Sequence, residues 1–119
     1  MWKHIECVAI YTKNVDESIK FYQSLGLRIN WDTYQNADNR WRLVGMGFPS
    51  GETELVLKNN ESLNFTEVEI RVEDVLKAYK ELSRNPNVEW IQDPFENALG
   101  GHVAVMKAPD GNVFVLVGK

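Results

Sequence analysis

The sequence lacks several features that define particular classes of protein. Cys7 is the only cysteine among 119 residues, so no disulfide can form within the chain. Lysine and arginine number 13 against 17 acidic residues, a formal net charge of −4, whereas a nucleic-acid-binding protein needs a basic face. No apolar run approaches the roughly 18 residues of a membrane span, and the first residues lack the apolar segment of a signal peptide. We therefore expect a cytoplasmic protein that binds neither nucleic acid nor membrane.

Aromatic residues, in contrast, are plentiful. The chain has four tryptophans, four tyrosines and five phenylalanines. One interpretation is an aromatic-rich core. The other is that two or three of these rings line a pocket for a flat or apolar ligand. Trp41 and Trp90 are the best candidates for such contacts, because they lie on predicted strands or at their ends.

The first half of the chain predicts one strand, one helix and three further strands. Residues 4–11 have the alternating pattern of a strand. Asn14 is the predicted N-cap of the helix, with Glu17 as its capping-box partner, and Gly26 is the predicted residue that ends it. Strands then follow near residues 27–34, 40–47 and 52–58.

The second half repeats this order about 60 positions later. A strand is predicted at 65–72, a helix follows the N-cap Asp74, and further strands are predicted near 88–92, 101–107 and 112–117. Val68 and Ile70 match Val8 and Ile10 of the first half. The sequence thus predicts one α+β domain made of two βαβββ modules, residues 1–60 and 61–119.

Alternation along the strands predicts which side chains face a ligand. Each helix covers one face of its sheet, so the other face must meet a second sheet or a ligand. We expect the two modules to pair and form a curved, half-open, barrel-like groove. Its predicted lining from the first strand of each module comprises Cys7, Ala9 and Tyr11, and Glu67, Glu69 and Arg71.

Three stretches resemble a known family. VDESIKFYQSLGL (15–27) is similar to the first helix, RWRLVGMGFPSGETELVL (40–57) to the third and fourth strands, and GGHVAVMKAPDGNVFVL (100–116) to the closing hairpin of the vicinal oxygen chelate superfamily. That superfamily includes glyoxalases, bleomycin-resistance proteins and extradiol dioxygenases. The resemblance implies the glyoxalase/bleomycin-resistance fold, with paired βαβββ modules and a ligand site in the groove between them.

The resemblance also implies where a divalent metal would bind. The four ligand positions of the family's metalloenzymes fall on Cys7, Val56, Glu67 and Val115. Valine has no lone pair to donate, and a metal centre needs several oxygen or nitrogen donors. We therefore expect no metal cofactor. If the register shifted by two residues, the weak candidate ligands would be Glu54, Glu67 and His102.

Several of these residues have two interpretations. Cys7 is either a reactive thiol or a small buried apolar side chain. The polar stripe of Glu67, Glu69 and Arg71 is either a solvated or internally paired face, or a polar anchor for a ligand. His102 is either structural or a ligand contact.

The most favoured function is binding of a small, partly aromatic or cationic molecule in the groove without a metal. This is what the bleomycin-resistance branch implies, and in that branch a second chain completes the groove, so we expect a homodimer. The alternative is a metal-dependent glyoxalase-like lyase or dioxygenase. No catalytic residue is assigned. The predicted ligand-lining residues are Cys7, Tyr11, Trp41, Glu54, Val56, Glu67, Glu69, Arg71, Trp90, His102 and Val115.

Overall fold

Each half of the chain folds as a βαβββ motif. The computed structural model describes residues 1–35, 38, 40–51, 53–97 and 100–119. The first motif comprises β1 (Trp2–Tyr11), α1 (Val15–Ser24), β2 (Arg28–Tyr34), β3 (Arg42–Gly47) and β4 (Glu54–Lys58). After a 3-10 helix at Glu61–Leu63, the second comprises β5 (Glu67–Val72), α2 (Val75–Leu82), β6 (Glu89–Glu96), β7 (His102–Lys107) and β8 (Val113–Gly118). The predicted α+β class with two βαβββ motifs is confirmed.

The chain packs as two compact units. One consists of Cys7–Thr66, and the other of Met1–Glu6 together with Glu67–Lys119. In the first unit the strands follow the order β2-β3-β4-β1, and in the second the order β1-β5-β8-β7-β6. The module boundary predicted at residue 60 falls at Asn60, which caps the 3-10 helix between β4 and β5.

The strand pairing of the two units follows one register. β1 pairs with β4 in parallel, and β5 pairs with β8 in parallel. Ala9 lies opposite Val56 in the first pair, and Glu69 lies opposite Val115 in the second. The first members of these pairs are 60 positions apart and the second members 59, so the predicted register between the halves is confirmed.

Helix α1 begins and ends at the predicted residues. The Asn14 side chain accepts a hydrogen bond from the Glu17 backbone N–H at 3.1 Å, and Gly26 follows the helix with a φ of 98°, as a left-handed C′ residue does. The predicted capping-box role of Glu17 is wrong, because the Asn14 N–H donates to the Thr12 hydroxyl instead, at 3.2 Å.

Each unit has a core between its helix and its sheet. Because side chains alternate along a strand, every second residue faces the helix. In the first unit the buried core residues are Val15, Ile19, Leu27, Val44, Met46 and Leu57. In the second they are Ile70, Val72, Val75, Ala78, Ala104, Met106 and Leu116.

Strand β6 is longer than predicted. It runs over Glu89–Glu96, whereas the prediction was 88–92. It includes Pro94, and its pairing with β7 shifts register between Trp90 and Gln92 and again between Gln92 and Phe95. Proline is tolerated at such an irregular strand on the edge of a sheet. Within the described residues, neither helix is long and apolar enough to cross a membrane.

Candidate functional site

The face of the first unit away from α1 has a small apolar cluster. Cys7, Ala9 and Val56 are buried there, with Leu43 packed against them. Cys7 is only 5% exposed. This is the environment of a small buried apolar side chain, the second of the two interpretations given to this cysteine.

Glu54 lies on the same face and accepts hydrogen bonds from two neutral donors. The Trp31 indole Nε1 lies 3.0 Å from both carboxylate oxygens, and the Asn30 Nδ2 lies 2.9 Å from one of them. The Trp31 ring packs against the backbone of Gly45, on the strand between the two partners. Two side chains of β2 therefore hold the carboxylate of Glu54 on β4 in place.

In the second unit, Arg71 of the Glu67, Glu69 and Arg71 stripe forms an ion pair with a residue of β1. The Arg71 Nε donates to Glu6 at 2.9 Å. This hydrogen bond lowers the pKa of Glu6 and raises that of Arg71. The main partner of Arg71 is thus Glu6 of β1, and Glu69 adds a weaker charge interaction.

Trp90 lies on the helix-facing side of its sheet. Its ring centroid is 4.6 Å from that of Tyr79 on α2, and its Nε1 donates to the Ser83 hydroxyl at 3.0 Å. Trp90 also packs against the α2 core. Its environment is that of a core side chain, and it does not share a face with Glu67 and Arg71.

His102 lies on this helix-facing side as well. It begins β7 two residues before the buried Ala104, and alternation places both on one face. Its Nδ1 is buried and has no hydrogen-bond partner in the part of the chain that the structure describes. The structure therefore does not bring His102 together with the polar stripe of β5.

The residues at the four implied metal-ligand positions do not fit a divalent metal. In each unit one position holds a potential donor and the other a valine, namely Cys7 with Val56 and Glu67 with Val115. Glu54, the candidate ligand if the register shifted, does not replace a valine as a metal ligand, because its carboxylate accepts hydrogen bonds from Trp31 and Asn30. No group of three or more His, Cys, Asp or Glu side chains that could hold a metal occurs among the described residues.

The first unit contains an open cleft of about 860 Å³ at the end of β1 and β4. It brings together two residues of the predicted set, Tyr11 and Trp41, and we call it the Tyr11–Trp41 cleft. Both rings are half-buried. The lining residues are Tyr11, Lys13, Arg40, Trp41, Asn59, Asn60, Glu61, Ser62 and Asn64.

Asparagine side chains tie the segments of this cleft together. The Asn59 Oδ1 accepts from the Arg42 backbone N–H at 2.7 Å, and its Nδ2 donates to the Arg40 carbonyl at 3.3 Å. The Asn60 Oδ1 accepts from the Ser62 N–H at 2.9 Å. The segment before β3 and the segment after β4 are thereby held beside each other.

A cation lies over one aromatic ring of the cleft. The Arg40 guanidinium carbon is 5.0 Å from the Trp41 ring centroid, within the range of a cation–π contact. Sequence reasoning missed Arg40, Lys13 and Asn60, because they lie between secondary-structure elements, where hydrophobic periodicity gives no information. The consecutive Asn59 and Asn60 after a strand were the available signal, since asparagine favours turns and caps.

Comparison with known proteins identifies the family. The model of the Glyoxalase/Bleomycin resistance protein/Dioxygenase superfamily matches residues 4–116. The chain belongs to this superfamily. Among curated proteins no match is found. This match confirms the resemblance seen in the sequence of the first helix, the third and fourth strands and the closing hairpin.

Solved structures share the fold at low sequence identity. A hypothetical protein from Bacillus halodurans is 16% identical with a TM-score of 0.78, covering 98% of this chain and 94% of that one. Methylmalonyl-CoA epimerase from Mycobacterium tuberculosis is 19% identical with a TM-score of 0.77, covering 98% and 88%. A methylmalonyl-CoA epimerase in complex with methylmalonyl-CoA and ammonium is 17% identical with a TM-score of 0.75, covering 100% and 96%. At these identities the likeness shows the fold alone.

Proposed function

We propose that this member of the superfamily binds a small, partly aromatic molecule in the Tyr11–Trp41 cleft without a metal. The observation that carries the proposal is the cleft itself. Its volume of about 860 Å³ falls within the roughly 300–1,000 Å³ of small-molecule sites. Two aromatic side chains and several polar groups line it, so it offers both ring contacts and hydrogen-bonding groups to a ligand.

The two rings favour a flat ligand. Tyr11 comes from the end of β1, and Trp41 directly precedes β3, so both rings lie next to strands of the sheet. Aromatic side chains contribute large apolar area and offset-stacked or edge-to-face contacts. The Tyr11 hydroxyl adds a group that can donate or accept one hydrogen bond.

Binding is proposed instead of catalysis because, among the described residues that line the cleft, no nucleophile is paired with a base. The cysteine of the chain is buried in a different cluster, with Ala9 and Val56. The alternative of a metal-dependent lyase or dioxygenase is opposed by the valines at two of the four ligand positions. The epimerase complex with methylmalonyl-CoA supports the view that this fold accommodates small molecules, without indicating which one binds here.

Tryptophan fluorescence tests the proposal. A panel of planar compounds is titrated into the protein, and at least one is expected to quench saturably through Trp41. The variant Trp41→Phe removes the reporter from the cleft and should lose the saturable quenching. Trp90→Phe is the matched control, since Trp90 packs beneath α2, and it should retain the quenching. Saturable quenching that survives in Trp41→Phe but disappears in Trp90→Phe would contradict the assignment of the cleft.

We also propose that the protein is a homodimer, as the resemblance to the bleomycin-resistance branch implies. A cytoplasmic location is proposed from the sequence. Sedimentation velocity over a range of concentrations measures the assembly state. A species of twice the chain mass of 13.7 kDa is expected. A monomer at all concentrations would contradict the dimer and leave the proposed cleft intact.

A further inference from the structure

We infer that Asn59 is a positioning residue of the Tyr11–Trp41 cleft. Its side chain holds the backbone around Trp41 extended, and this turns the indole ring to the face on which Tyr11 lies. The inference rests on the proposed function, because the position of Trp41 affects binding only if the cleft takes a ligand. The hydrogen bonds on either side of Trp41 and the register of the strands support it.

Trp41 precedes β3, but its backbone is held as that of a strand residue would be. The pairing of β2 with β3 ends at Tyr34 and Arg42. The Gln35 N–H donates to the Trp41 carbonyl at 2.8 Å, which continues this ladder by one residue. Successive peptide groups point to opposite sides of a strand, so the Arg40 carbonyl and the Arg42 N–H point away from β2 and towards β4.

On the β4 side, the Asn59 side chain takes the place of a neighbouring strand. The pairing of β3 with β4 ends at Leu43 and Lys58, so Asn59 lies one step beyond the last pair, opposite Arg42. Its Oδ1 accepts from the Arg42 N–H at 2.7 Å, and its Nδ2 donates to the Arg40 carbonyl at 3.3 Å. These two groups flank the tryptophan. One planar amide thus bonds to the chain on both sides of it, as the peptide groups of a paired strand do.

The extended backbone decides which face the Trp41 ring takes. Leu43 packs against the apolar cluster that contains Ala9, on the face away from α1. Side chains two residues apart on a strand point to the same face. Trp41 therefore shares the face of Leu43, and Tyr11 shares the face of Ala9, which brings both rings to the lining of the cleft. A different backbone conformation at Trp41 would turn its ring off this face.

The two hydrogen bonds of Asn59 act on the cleft more than on the core. Asn59 is half-buried and is not one of the buried core residues beneath α1. A ring that is already in place loses little conformational freedom when a ligand binds, whereas a mobile ring must be ordered at a cost in affinity. Loss of the Asn59 side chain should therefore weaken the binding of a planar compound without unfolding the protein.

Fluorine NMR of protein labelled with fluorotryptophan tests the position of Trp41 without any ligand. Each of the four tryptophans gives a signal, and the variant Trp41→Phe identifies that of Trp41. Asn59→Ala removes both hydrogen bonds, so the Trp41 signal should shift or broaden. The signals of Trp2, Trp31 and Trp90 should stay in place.

Asn59→Asp separates the two hydrogen bonds and is nearly isosteric, so it serves even if Asn59→Ala fails to fold. An ionised carboxylate still accepts from the Arg42 N–H but cannot donate to the Arg40 carbonyl, whereas a protonated carboxyl group can do both. The Trp41 signal should therefore differ from that of the wild type at neutral pH. It should return to the wild-type position in acid, below the ordinary aspartate pKa of about 3.9. Asn87→Asp, at an exposed position of the other unit, is the charge-matched control and should leave this signal unmoved.

Saturable quenching by the best-quenching compound of the planar panel measures the effect on binding. The affinity of this compound should fall about tenfold in Asn59→Ala, because the two lost hydrogen bonds no longer hold the ring in place.

Several results would overturn the role of Asn59. These are a Trp41 signal that stays unmoved in both Asn59 variants, four tryptophan signals that move together, an Asn59→Asp signal that remains shifted in acid, and an unchanged affinity. If no compound of the planar panel quenches saturably, the proposed function falls, while the fluorine signals still show whether Asn59 positions Trp41.

Discussion

At the scale of single residues, Gly45 makes room for the Trp31 indole that donates to Glu54. A Cβ atom at this position would overlap the indole ring. Gly45→Ala should therefore displace the ring and lower the free energy of unfolding by about 2 kcal/mol, measured by urea denaturation. Gly47→Ala is the control on the same strand, because its Cβ would meet the flexible amide of Asn30, and its effect should be smaller. Equal effects would contradict the packing role assigned to Trp31.

A second residue-scale prediction concerns pH. Arg42 donates two hydrogen bonds to Asp32, at 2.9 and 2.7 Å, and holds the pKa of Asp32 below its ordinary 3.8. A lowered folded pKa gives stability that is present above the unfolded pKa and is lost as the pH falls through the folded pKa.

Asp32→Asn should therefore lower the free energy of unfolding by at most about 1 kcal/mol at neutral pH, because the pair is partly exposed. The difference between the variant and the wild type should shrink below pH 3.8. Urea denaturation of the variant and the wild type, at neutral pH and below pH 3.8, measures this difference in the free energy of unfolding. A difference that grows in acid would contradict the role of Arg42.

At the scale of elements, the N-terminus of α1 depends on Thr12 as well as on Asn14. The Thr12 hydroxyl accepts from the Asn14 N–H and is 2.7 Å from the Ser18 hydroxyl. Thr12→Val should lower the free energy of unfolding by about 1 kcal/mol. Glu17→Gln should have little effect, since the Glu17 side chain does not make the capping-box bond. If chemical denaturation shows that Glu17→Gln lowers the free energy of unfolding more than Thr12→Val does, the capping-box interpretation would be restored.

The elements were largely predictable because their signals are local. The cap residues Asn14 and Asp74, the terminating Gly26 and the alternating strands all follow from neighbouring residues. The extension of β6 through Pro94 was not predictable, because proline ordinarily ends a strand and is tolerated here only at the edge of a sheet.

At the scale of the whole molecule, the 60-residue offset between the halves predicted the paired fold. It also agreed with the metal-ligand positions that the family resemblance implied. The cleft could be predicted only in part. Tyr11 was identified from the alternation along β1 and Trp41 from its aromatic character. Asn60 was not identified, because it lies beside Tyr11 only when segments some 50 residues apart in sequence meet. The helix-facing position of Trp90 was not predictable for a related reason, since an aromatic residue on a strand gives no sign of which face it takes until the pairing is known.

The four implied metal-ligand positions lead to a prediction about metal binding. Because valine occupies two of the four implied ligand positions, elemental analysis of the purified protein should find no stoichiometric divalent metal. Titration with Mn, Zn or Ni should show no tight binding. Stoichiometric binding that is abolished by Glu67→Gln, and retained in the strand control Glu89→Gln, would contradict the account and favour the metal-dependent alternative.

Binding of a planar ligand in the Tyr11–Trp41 cleft is best tested by amide-resolved NMR titration with the best-quenching planar compound. We expect saturable shift changes confined to the Tyr11–Trp41 cleft, with the Asn60 side-chain amide among the most affected signals, and unchanged signals for Trp90 and its neighbours on α2. Saturable changes centred on α2, with the cleft signals unmoved, would contradict it.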